Sequence, residues 1–157
     1  MTPLLRVQDL FLYYRAGKLP VHAVDGVSFA IEDRGQAVGI VGESGSGKTS
    51  MAVALMRMLP KNVELFRGSI QLNGRELTTL TDDQFNREIR WRKIAMVFQG
   101  AMNVLNPVAR VGEQVAETLV HDGMAKKPAI ARAEQLLERV GLPTSIATRY
   151  PHELSGG

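Results

Sequence analysis

The stretch "GIVGESGSGKTS", residues 39–50, places four glycines ahead of a lysine and two hydroxyls. Gly42, Gly47, Lys48 and Thr49 fit the pattern G-x-x-x-x-G-K-[ST]. Glycines remove the side chains that would keep backbone N–H groups from converging on an anion. The apolar run "QAVGIV" (36–41) leads into the loop and reads as a strand buried on both faces. From Lys48 to Leu59 the residues Met51, Ala52, Val53, Leu55, Met56, Met58 and Leu59 cover most of a helical wheel, which predicts a buried helix stopped by Pro60. A loop that feeds a helix N-terminus turns unpaired amides and a partial positive charge toward its ligand. Lys48 adds a mobile full charge. The Thr49 hydroxyl is a hard oxygen ligand suited to Mg²⁺. The spacing predicts a cradle for the phosphates of a nucleotide, built from Gly42, Glu43, Ser44, Gly45, Ser46, Gly47, Lys48, Thr49 and Ser50.

The remainder of the chain reads as α/β and then helical. "LLRVQDLFLYY" (4–14) reads as an opening strand with Leu5 and Val7 alternating, and Tyr13 is the core candidate of its tyrosine pair. "VSFAI" (27–31) alternates as a half-buried strand. "GSIQLNGREL" (68–77) carries Asn-Gly, a hairpin signal. Thr81 and Gln84 form a capping box that opens a short helix. "KIAMVF" (93–98) reads as a strand ending at Gln99. Val111, Val115 and Leu119 mark one helix. A second starts near Pro128, with Ile130, Ala133, Leu137 and Val140 on one face and Gly141 as its stop. The division falls at residue 100: residues 1–100 hold the β subdomain and the loop core, and residues 101–157 a helical portion. The absence of cysteine excludes disulfides and thiolate metal sites. No apolar run reaches the roughly 18 residues a membrane span needs, and the first ten residues lack a signal-peptide pattern. Arg87, Arg90, Arg92 and Lys93 cluster. With a net charge of only +3 they read as a solvated face and not as a nucleic-acid surface.

Three landmarks accompany the loop in fixed order: Tyr14, the stretch "AMVFQGAMNVLNPV" (95–108) and "YPHELSGG" (150–157). Together they resemble the nucleotide-binding domain of ABC transporters over the whole chain. "LSGG" matches that family's signature motif, and the stretch around Gln99 its Q-loop. The Leu-Asn-Pro ending and the Tyr-Pro-His-Glu lead-in are similar to importer ATPases for dipeptides, oligopeptides and nickel. The resemblance implies a P-loop NTPase fold of the ABC ATPase type: α/β, with an antiparallel β subdomain, part of a helical subdomain and an incomplete core sheet. It implies ATP and Mg²⁺ as ligands. Tyr14 would stack on the base, and Gln99 would join Thr49 around the metal or orient water. Lys48 and Gln99 would be the catalytic residues of this portion. Leu154, Ser155, Gly156 and Gly157 would serve the nucleotide of a second subunit facing head to tail. Transmembrane permease subunits would contact the region after Gln99, with the protein peripheral on the cytoplasmic face of the membrane. His152 reads as a local structural residue.

One element of the family is missing from these residues. No run of four apolar residues ends in Asp-Glu, the pair that supports the metal and polarises water; Asp82-Asp83 follows "LTTLT" and reads as a helix start. The family's later switch histidine is also absent. The chain therefore reads as the N-terminal part of a longer ATPase and not as a competent enzyme alone. The segments 36–41 and 93–98 would then lack the strands that lie between them in the family. The alternatives are a nucleotide-binding fragment without turnover, and an ABC ATPase of DNA repair or chromosome maintenance. The stretch from Gln99 to Pro107 favours the importer.

Overall fold

The computed structural model describes residues 2–98 and 104–154. The chain divides into two compact units, one up to residue 96 and one from residue 97.

The first unit is built on one four-stranded antiparallel sheet in the order β2-β1-β3-β4. Its strands are β1 (Leu5–Ala16), β2 (Leu19–Ile31), β3 (Val63–Leu72) and β4 (Arg75–Glu76). The β3–β4 turn is the Asn73-Gly74 pair, with φ of 50° and 78°, the double left-handed geometry that matches strand twist. A bulge interrupts β1 between Val7 and Leu10, where the register against both neighbours shifts. Asp9, at φ 45°, is the extra residue. The shift moves the inward face from Val7 to Leu10 and Leu12, all buried. Tyr14 follows in that phase and packs against the core. Tyr13, the core candidate from the sequence, lies on the other face. It stacks on His22 with ring centroids 3.7 Å apart, and its hydroxyl donates to Asp25.

Helix α1 (Lys48–Leu55) lays Met51 and Ala54 on the same core as Val24, Ile70, Leu77, Phe85 and Ile89. It ends four residues earlier than its apolar pattern predicts, and Met58 is exposed. Helix α2 (Asp82–Glu88) opens with the expected capping box, Thr81 and Gln84 exchanging hydrogen bonds. Two predicted strands do not form. Residues 36–41 carry no strand pairing, and Val41 is 96% exposed. Residues 93–98 make only a single parallel bridge, from Arg90 to Ile94. A run apolar on both faces needs pairing partners and layers that cover both faces, and β1–β4 pair only with one another.

In the second unit α3 (Val111–His121) and α4 (Lys126–Arg139) pack through Ala116, Ala129 and Ala133, whose small side chains bring the helices close. Lys126 and Glu113 form an ion pair at 2.7 Å. Gly141, at φ 82°, closes α4 as predicted; its N–H donates to Glu138 O and that of Leu142 to Leu137 O. Two 3₁₀ turns, Thr144–Thr148 and Pro151–Glu153, follow.

Glu76 of β4 ties the sheet to the segment that enters α2. Its carboxylate accepts from the Ser69 hydroxyl at 2.5 Å, the Thr78 hydroxyl at 2.6 Å, and the Ile70 and Thr78 amides at 3.1 Å each. Partial burial pushes the carboxyl up, but these four donors outweigh burial and hold it down at about 2. A depressed native value stabilises the fold above the ordinary carboxyl range near 4.5 and loses that contribution as pH falls toward 2. Glu76→Gln should therefore lower stability by about 1–3 kcal/mol at neutral pH. Urea denaturation of both proteins should show the gap closing below pH 4; a gap independent of pH would contradict the assignment.

Candidate phosphate-binding site

The loop from Gly42 to Gly47 turns on a hydrogen bond from the Ser46 amide to Glu43 O at 3.2 Å. It delivers the chain into α1 through Gly47, the N-cap, at φ 91°. Two constraints select glycine there. The conformation is left-handed, and a Cβ would sit 2.0 Å from the carbonyl oxygen of Ala23 on β2. The start of the helix is thus pressed against the sheet backbone. Gly45 is also left-handed, at φ 84°, but a Cβ there would meet nothing within 4 Å.

Helix α1 begins without a side-chain cap and without an acidic residue in its first turn. Its hydrogen-bond ladder starts at the Met51 amide, which donates to Gly47 O at 2.9 Å. The amides of Lys48, Thr49 and Ser50 have no carbonyl behind them. Above them the Lys48 ammonium donates to Gly42 O at 2.8 Å and Glu43 O at 2.7 Å, with Ser46 Oγ at 3.4 Å. The start of the helix thus offers three amides without acceptors, the hydroxyls of Thr49 and Ser50, and a lysine charge that rests on the loop's carbonyls. A polyphosphate supplies the complementary acceptors, and a charged phosphate oxygen is a stronger acceptor for the ammonium than a neutral carbonyl. The residues fit a nucleotide phosphate chain. A cavity of about 530 Å³ adjoins the loop, lined by Ala23, Val27, Phe29, Ile40, Gly47 and Lys48 among others.

The other predicted site residues fall elsewhere. Tyr14 is half-buried on β1, opposite Val21 and Val63, and does not line that cavity. Gln99 and the signature residues Ser155, Gly156 and Gly157 lie outside the described residues. Leu154, the first signature residue, packs against Val111, Leu137 and Ala147 as an anchor of the second unit. Tyr150 and Glu153 lock the turn before it, the Glu153 carboxylate accepting from the Tyr150 amide at 2.6 Å. His152 stacks on Tyr150 at 5.7 Å, a local role, as the sequence suggests. Arg90, read from the sequence as surface charge, turns inward instead and donates to the carbonyls of Met56 and Arg57 behind α1.

Comparison with known proteins places these features in a family. The model of the ABC transporter family matches residues 24–157. The oligopeptide transport ATP-binding protein OppD of Mycobacterium tuberculosis is 45% identical over 100% of this chain and 26% of its own length. The oligopeptide transport ATP-binding protein AppD of Bacillus subtilis is 42% identical over 100% of this chain and 48% of its own. The chain thus spans between a quarter and a half of these relatives. Among solved structures, the dimeric post-hydrolysis state of the ATP-binding cassette MJ0796, bound to ADP and Pi, superimposes with a TM-score of 0.76. It is 25% identical, and the match covers 97% of this chain and 63% of that one.

The two loop glycines should respond differently to substitution. Gly45→Ala meets conformational strain alone and should cost about 1–2 kcal/mol. Gly47→Ala adds a clash with the backbone of β2 and should cost more than about 3 kcal/mol. Equal costs in chemical denaturation would contradict the close approach of α1 to β2.

Proposed function

The chain belongs to the ABC transporter family, and on that premise we propose that it is the nucleotide-binding part of an importer's energy-coupling ATPase, serving uptake of peptides or nickel. The observation that carries the reading is the donor set at the start of α1: free amides of Lys48, Thr49 and Ser50 beneath a lysine held over the loop. These residues, with Gly42 to Gly47, would bind the phosphates of ATP. Thr49 Oγ1 and the Gln99 amide oxygen would complete the shell of a Mg²⁺ ion, which neutralises phosphate charge when bound. Tyr14 would present a π face to the base.

The importer reading over one in DNA repair or chromosome maintenance draws on the two relatives named for oligopeptide transport. It draws also on the stretch from Gln99 to Pro107. In this reading Leu154 to Gly157 meet the nucleotide of a second subunit, consistent with the dimeric cassette that the fold matches. Permease subunits would supply the membrane path. Among the described residues no helix is long and apolar enough to cross a membrane, and the subunit would sit on the cytoplasmic face. No apolar run in these residues ends in Asp-Glu. Hydrolysis is accordingly proposed for a full-length ATPase of this family; the chain spans only part of its relatives' length.

Calorimetric titration with Mg-ATP tests the phosphate assignment. Lys48→Ala removes a charge-assisted contact worth about 1.5–3 kcal/mol, so its affinity should fall about ten- to a hundredfold. Equal dissociation constants would overturn the reading. The same titration separates the role of Tyr14. Tyr14→Ala should weaken ATP while leaving inorganic triphosphate unchanged, and Tyr14→Trp should keep ATP affinity. Equal losses for both ligands in the alanine variant would assign Tyr14 to the core alone.

A further inference from the structure

The turn ahead of α3 is fastened by one side chain. Asn106 to Ala109 close on themselves, the Ala109 amide donating to Asn106 O at 3.2 Å. The Asn106 side chain accepts from the Val108 amide at 3.1 Å. Gln114, in the first turn of α3, grips this turn with both ends of its carboxamide. Its oxygen accepts from the Asn106 amide at 2.8 Å. Its nitrogen donates to Asn106 O at 3.0 Å and to Ala109 O at 2.9 Å. A primary amide carries the same donor and acceptor as a peptide group, so Gln114 gives Asn106 the pairing that a neighbouring strand would give. Pro107, between them, has its φ fixed by its ring.

The side chains that this anchoring displays are apolar and open. Val104 is 63% exposed and Val108 81% exposed, one on either side of the bonded Asn106. Gln114 also lines a cavity of about 480 Å³ on the helix pair, together with Ala116, Val120 and Ile130. Glu113 and Lys126 at this cavity neutralise each other at 2.7 Å. Glu117 lines it too and is exposed, so a carboxylate stands there beyond the neutral pair. Exposed apolar side chains in a fixed conformation, beside an apolar recess with a carboxylate, suit a partner with the complementary set: apolar side chains and a cation.

We propose that Gln114 is a positioning residue for the membrane partner: it holds the Asn106–Ala109 turn so that Val108 and the cavity at Glu117 receive a short permease segment bearing apolar side chains and one basic side chain. The inference rests on the importer reading given above. That reading brings the permease to the region after Gln99, and Gln114 is what gives the region a fixed shape. A turn already ordered before the encounter loses less conformational freedom on binding.

Inside-out vesicles from the cells that make the protein, stripped of peripheral proteins with urea, are the probe. Sedimentation measures how the purified chain rebinds to them, and liposomes of the extracted lipids are the control. The native chain should bind the vesicles saturably and the liposomes not at all. Gln114→Met keeps the length and removes all three hydrogen bonds. Its affinity for the vesicles should fall at least about tenfold, while its calorimetric dissociation constant for Mg-ATP stays within about threefold of native. Gln114→Glu keeps the acceptor for the Asn106 amide and should fall in between; it decides on the same terms if the methionine variant does not fold. Val108→Ser and Glu117→Lys, both on the surface, should each weaken vesicle binding and leave Mg-ATP binding unchanged. Native vesicle binding in the Gln114 variants overturns the proposal. So does a parallel loss of vesicle and Mg-ATP binding, the mark of a merely structural role, and so does equal binding to the liposomes. A native chain that binds Mg-ATP but not the vesicles overturns the importer reading and this inference with it. Failure of the Gln114 variants alone leaves that reading standing.

Discussion

Everything at the candidate site depends on one close approach, the backbone of Gly47 against the carbonyl of Ala23. It presses the first turn of α1 onto β2 and leaves no room for a side chain between them. With the helix start fixed there, the amides of Lys48, Thr49 and Ser50 have no carbonyl partner. The loop before them carries its own lysine as a lid on its carbonyls. Three amides with no acceptor are costly unless solvent or a ligand supplies one. A phosphate chain supplies several at once. The sheet gives the rigidity, and the glycines give the access.

The sheet achieves that rigidity through a small core. Val7, Leu10 and Leu12 of β1, Val24 of β2 and Ile70 of β3 meet Met51 and Ala54 of α1. The opposite end of α1 meets α2 through Phe85, Arg57 and Arg90. The helix is thus held at both ends by backbone groups and on one face by apolar packing.

Much of this was legible in the sequence where a local rule decides the structure. Asn73-Gly74 made its hairpin, Thr81 and Gln84 their capping box, and Gly141 its helix stop. The loop motif is of that kind, because its chemistry is contained in nine consecutive residues. Features set by distant partners were not legible. The runs 36–41 and 93–98 look like buried strands, but a strand exists only with a neighbour, and neither run pairs with β1–β4. The bulge at Asp9 exchanged the faces of Tyr13 and Tyr14, which simple alternation from Leu5 and Val7 cannot foresee. Arg90 sits among basic residues that do face solvent, so nothing in its neighbourhood marks the open carbonyls of Met56 and Arg57 that draw it inward. Arg57 stands where a glycine would have announced the helix end.

The central claim is that the ligand's phosphates sit on the first turn of α1, in a loop already held in place by β2. Amide chemical shifts of the ¹⁵N-labelled chain, followed during titration with Mg-ATP, test it residue by residue. The largest shifts should fall at Gly45, Gly47, Lys48, Thr49 and Ser50, with the amides of β1 and β3 around Val7 and Ile70 almost unmoved. Saturable binding that leaves residues 45–50 unshifted would contradict it.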